Sequence, residues 1–91
     1  IEENRLEPAI ELYPNPANNR FVLSWNSEDI SPDQVKLYTV SGKEVLKKRI
    51  NAAGGDMEIF ELDLSGITKG LYIIEVEGTG IFIREKLLVN P

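Results

Sequence analysis

Two pairs of carboxylates stand at a spacing that could do chemistry: Glu61 with Asp63, and Glu75 with Glu77. On an extended strand, residues two apart share a face at roughly 6–7 Å, a separation a glycosidase could use. Both pairs alternate with apolar residues over a short stretch, so we read them as the wet face of a one-sided sheet. Asp33, Asp56 and Asp63 could contribute to a Ca²⁺ site, but no Asp-x-Asp-x-Asp-Gly loop supports one. The chain has no His and no Cys. Disulfides, thiolate metal sites, cysteine nucleophiles, the serine triad and imidazole acid–base roles are therefore excluded. An enzyme would have to work with carboxylates, Lys, Tyr or Ser. We assign no catalytic residue, no cofactor and no metal ligand, and read the chain as non-enzymatic.

The cations are equally telling. Lys36, Lys43, Lys47, Lys48 and Arg49 cluster in a molecule that has 15 Asp plus Glu against 10 Lys plus Arg, a net charge of −5. That balance opposes binding to nucleic acid or to anionic lipid. The cluster reads as protection of an edge strand against sheet-to-sheet pairing. It is also compatible with receiving an acidic partner surface. Gly42, Gly70 and Gly78 are expected at turns with positive φ, and Trp25 on an alternating strand is expected in the core.

The elements that must position these groups are strands. The 91 residues make one domain with one core. Residues 1–9 lack any period-2 pattern and read as a linker. Ile10 to Tyr13 is followed by Pro14-Asn15-Pro16, which cannot continue a ladder. Phe21, Leu23 and Trp25 share a face. Ser31-Pro32-Asp33 is turn chemistry. Val35 to Val40 puts Val35, Leu37 and Thr39 on one face and Tyr38 and Val40 on the other. Ser41-Gly42 looks like a two-residue hairpin turn. In Lys43 to Ile50, either Val45, or Leu46 with Ile50, points inward. Asn51 to Asp56 is a loop around Gly54-Gly55. Met57 to Leu64 carries Phe60, Leu62 and Leu64 on its apolar face. Leu71 to Glu77 carries Tyr72, Ile74 and Val76, and Gly78-Thr79-Gly80 turns into a last strand, Ile81 to Val89. Within it Ile81, Ile83, Leu87 and Val89 share a face with Glu85, and Lys86 points to solvent.

This predicts an all-β fold: an antiparallel, immunoglobulin-like β-sandwich of about seven strands. Its expected core is Phe21, Leu23, Trp25, Leu37, Phe60, Leu62, Leu64, Tyr72, Ile74, Val76, Ile83 and Leu87. Tyr72, just inside a strand after a Gly-bearing crossover, is placed for a tyrosine corner. There is no internal repeat. The chain starts without Met and has no basic or apolar leader, so it reads as part of a longer protein, in which any signal peptide would lie upstream.

Four motifs in order carry a resemblance. They are Leu12-Tyr13-Pro14-Asn15-Pro16-Ala17, then Val35 to Tyr38 with Ser41-Gly42-Lys43-Glu44-Val45, then Leu62-Asp63-Leu64-Ser65 with Gly70-Leu71-Tyr72-Ile73-Ile74-Glu75-Val76, then Lys86-Leu87-Leu88-Val89. In this order and spacing, over about residues 10–90, the chain resembles the C-terminal sorting domain of the bacterial type IX secretion system (the Por secretion system sorting domain, type A). The resemblance implies an address label. The domain would follow an upstream cargo domain, with residues 1–9 as the linker and 10–91 as the sorting domain. It would fold in the periplasm of a Gram-negative bacterium and be recognised by the outer-membrane translocon. A sortase-like surface peptidase would then cut it off, leaving the cargo at the cell surface or in the medium. The recognition signature would comprise Tyr13, Pro14, Asn15, Pro16, Gly42, Lys43, Gly70, Tyr72 and Lys86. An exposed edge strand would allow a homodimer. The family's C-terminus often carries a basic residue, whereas this sequence ends Asn90-Pro91. The competing reading is an accessory β-sandwich of a secreted enzyme or adhesin, as a spacer or a carbohydrate binder. The few aromatics, mostly on alternating apolar faces, are a thin supply for sugar stacking.

Overall fold

The computed structural model describes residues 10–26, 28–50 and 58–90. They form seven strands: β1 (Ile10–Tyr13), β2 (Arg20–Trp25), β3 (Ser31–Thr39), β4 (Glu44–Arg49), β5 (Ile59–Asp63), β6 (Gly70–Thr79) and β7 (Ile81–Val89). These lie in two antiparallel sheets, ordered β1-β2-β5 and β4-β3-β6-β7. No helix occurs among the described residues. The sequence-based linker at 1–9, the loop at 51–56 and the terminal Pro91 lie outside the described residues.

Period-2 alternation builds the core, because successive side chains on a strand point to opposite faces. Phe21, Leu23 and Trp25 of β2 and Leu62 of β5, with Leu64 just beyond it, bury against Val35, Leu37, Tyr72, Ile74, Val76, Leu87 and Val89 of the other sheet. Each large apolar side chain so buried contributes about 1.5–3 kcal/mol. Phe60 and Ile83 were expected inside but are only half-buried at the rim. Both sit on edge strands, β5 and β7, where the facing sheet gives partial cover. In β4 the inward pair is Leu46 with Ile50, and Val45 is exposed. Ile30 and Ala17, from connecting segments that carry no alternation, complete the core.

Three turn expectations are corrected. Ser31-Pro32-Asp33 is the start of β3, with Pro32 buried. Pairing of β3 with β4 begins only at Gln34↔Arg49, and the β3–β6 register slips between Pro32 and Gln34. A proline is tolerated there because a bulge and an unpaired side demand no ladder donor. The β3–β4 connection has four residues, Val40 to Lys43, rather than two. It is closed by Thr39 N–H to the Lys43 carbonyl (2.8 Å) and Gly42 N–H to the Thr39 carbonyl (2.9 Å). Gly42 has φ +98° there, as expected of a turn glycine. Gly78 is not a positive-φ residue but sits inside β6 opposite Pro32. A Cβ on Gly78 would collide with the Ser31 carbonyl oxygen and lie 2.6 Å from the Asp33 nitrogen. The backbones approach too closely at the bulge for any side chain. The positive φ in this hairpin falls on Gly80, at +77°.

Candidate functional site

β1 ends where Pro14 and Pro16 remove two ladder donors. Both X-Pro bonds there, Tyr13-Pro14 and Asn15-Pro16, are cis. The chain leaves the edge of the first sheet and reaches β7, the edge of the second. Asn15 docks it there with its side-chain amide. Nδ2 donates to the Lys86 carbonyl (3.1 Å), and Oδ1 accepts from the Leu88 N–H (3.2 Å). Ala17 continues the contact. Its N–H donates to the Leu88 carbonyl (2.8 Å), and its carbonyl accepts from Asn90 N–H (2.7 Å), in a parallel bridge to Val89. One polar side chain and one small buried residue thus close the outer edge of β7 from Lys86 to Asn90.

The crossover into β6 is held as tightly. The Tyr72 hydroxyl donates to the Thr68 carbonyl at 2.6 Å, which is the tyrosine corner the sequence anticipates. Asp63 Oδ1 accepts from both Ser65 Oγ (2.7 Å) and Ser65 N–H (2.9 Å). These two bonds, the hydroxyl first and with Lys48 adding a smaller attraction, hold the Asp63 carboxyl below the ordinary aspartate range.

The register gathers these features at one end. Tyr13 closes β1, Arg20 opens β2, Thr39 faces Tyr72, Gly70 faces Val89, and Arg20 faces Asp63. The 14–19 segment, the 40–43 hairpin, the 64–69 corner and the end of β7 therefore share one pole of the sandwich. All nine signature residues lie at or within a few residues of it. Six have backbone or packing jobs: Pro14 and Pro16 where the β1 ladder ends, Asn15 on β7, Gly42 in its turn, Gly70 against the Tyr72 ring, and Tyr72 at its corner. Tyr13, Lys43 and Lys86 are exposed. Ile10, opposite Trp25, marks where the chain enters at the other pole.

Residues 11–90 match the secretion system C-terminal sorting domain, the type IX family. The chain belongs to that family. A search of curated proteins finds no relative that matches.

A sorting signal domain is not itself catalytic. Glu61 pairs with Arg20 at 2.9 Å on an exposed face. Glu77 accepts from Gln34 at 3.4 Å. Glu75, expected on a wet face, is nearly buried. Arg84, its partner across the β6–β7 ladder, covers it with an ion pair of 3.2 Å and extends over the Tyr38 ring at 5.8 Å. Lys36 flanks Glu75 from β3. Its ammonium is held above the ordinary lysine range, first by electrostatic attraction to Tyr38, then by Glu77 and Glu44. Among the described residues, no three Asp or Glu side chains group to hold a metal ion. No local pattern points to the Glu75–Arg84–Tyr38 stack, since it depends on strand register. Ala17 stood within the quoted motif, but its contact with β7 spans more than seventy positions.

Proposed function

We propose that this sorting domain is read at the pole where its signature residues converge, and that it is removed after its cargo has crossed the outer membrane. The observation that supports this is the Asn15 clamp, which joins the first motif to the last. An unfolded or truncated domain would lose that joint, so the translocon would receive a folded, complete signal. The cargo lies upstream in the same chain and enters at the opposite pole. That leaves Tyr13, Lys43 and Lys86 free to meet the translocon. On this reading residues 10–91 are the sorting unit and 1–9 the linker. Folding takes place in the periplasm, and a sortase-like surface peptidase cuts in or before the linker. The edge of β4, lined by Lys47, Lys48 and Arg49, carries the charges that deter strand pairing. A homodimer would therefore have to use the open part of β7.

The test is a fusion of residues 1–91 behind a periplasmic reporter in a type IX-competent strain. The reporter should reach the surface or medium, with the domain released from the mature product. Retention of a folded fusion in the periplasm would refute the reading and favour a plain accessory module.

A further inference from the structure

We propose that the outer face of the four-stranded sheet is a docking surface for an acidic, partly apolar protein surface of the secretion machinery. This rests on the sorting reading above and adds to it a second contact region, along the sheet rather than at the pole.

Register assembles the face. Across the sheet, Lys47, Lys36, Glu75 and Arg84 stand in one row, flanked by a row ending in Arg49 and one ending in Lys86. The face holds five of the chain's ten cations and three of its fifteen carboxylates, Glu44, Glu75 and Glu77. It therefore carries net +2, or +1 with Glu85, which lines its β7 edge, while the chain as a whole carries −5. Two of its carboxylates are already engaged, Glu75 by Arg84 and Glu77 by Gln34. Lys47, Arg49 and Lys86 have no ion-pair partner among the described residues, so their charge is directed outward.

Apolar groups interleave with these cations. Phe82, Leu71 and Leu88 are exposed at 61%, 46% and 40%, and Ile73 is half-buried between them. Ile73, Arg84, Glu85 and Lys86 line an open depression of about 330 Å³. Exposed apolar side chains rimmed by charge mark a protein interface. The composition chooses the partner. A nucleic acid or an acidic polysaccharide carries repeated negative charge and would be repelled by the net −5 of the chain as a whole. A protein surface that mixes carboxylates with apolar side chains matches both halves of the pattern and is steered by the +2 face. The Arg84–Tyr38 stack holds the centre of this face in one arrangement, so little ordering is needed on binding.

The test uses the 1–91 reporter fusion with Lys47→Glu and Arg49→Glu together. Both side chains are exposed, so the thermal midpoint should stay within a few degrees of the parent. Export should fall at least tenfold. Lys47→Arg with Arg49→Lys should export normally, as should Glu11→Lys on the other sheet. Phe82→Glu provides a second route to the same loss if the double reversal proves unstable. Normal export of the folded double reversal or of Phe82→Glu would overturn this surface while leaving the sorting reading intact. Retention of the parent fusion would overturn both. Titration of the parent with dextran sulfate gives the remaining arm. Tight binding that the double reversal abolishes would make the face a polyanion site and overturn the protein partner; no binding supports it.

Discussion

Asn15 supplies what the prolines on either side cannot, a donor and an acceptor for the edge of β7. Its two bonds are exposed, and neutral hydrogen bonds contribute about 0.5–1.5 kcal/mol each. Asn15→Ala should therefore lower stability by about 1–2 kcal/mol, and amide exchange at Leu88 should quicken while Ile74 in the core stays protected. Asp63 gives a pH prediction. Its carboxyl titrates below its unfolded value because Ser65 stabilises the charged form. Its contribution is thus present above the unfolded aspartate range and is lost as pH falls through the lowered folded value. Ser65→Ala should move the Asp63 titration, followed by carboxyl carbon NMR, back up toward the ordinary range. No upward movement would show that the Ser65 hydroxyl is not the cause.

At the scale of strands, the bulge in β3 and the glycine opposite it are one device. Gly78 lets β6 pass within contact of the Ser31 and Asp33 backbone, and that contact is backbone against backbone, so no rotamer relieves it. Gly78→Ala should cost about 3 kcal/mol, at the upper end of overpacking, read as a lowered urea midpoint. Gly42→Ala should cost less, since its Cβ would meet nothing and only the positive φ resists it. On β7, Leu87 is fully buried and Lys86 exposed. Leu87→Ala should lose about 2–5 kcal/mol, while Lys86→Glu should stay within about 0.5 kcal/mol. A single strand thus separates folding from recognition. Equal stability losses in the two variants would contradict the assigned faces.

For the molecule as a whole, polarity is the main feature: chain entry at one end, signature residues at the other. Lengthening the Val40–Lys43 loop from four to eight residues should cost about 0.6 kcal/mol in closure entropy. It should nevertheless impair export, whereas a four-residue insertion between Thr79 and Gly80 at the far end should leave export intact. Reporter export with matched thermal midpoints decides this. Alternation in Phe21–Trp25 and Tyr72–Val76 reflects a local rule, the two-residue period of a strand, and so the sequence by itself determined the sandwich, most of its core and the tyrosine corner. The ordered motifs likewise determined the family. Only the tertiary structure decided that Asn15 reaches β7, that Pro32 and Gly78 share a bulge, and that Glu75 lies under Arg84. Each of these pairs residues more than forty positions apart, or on different strands, and depends on register. Register is set by how whole sheets pack, and no single segment carries that information.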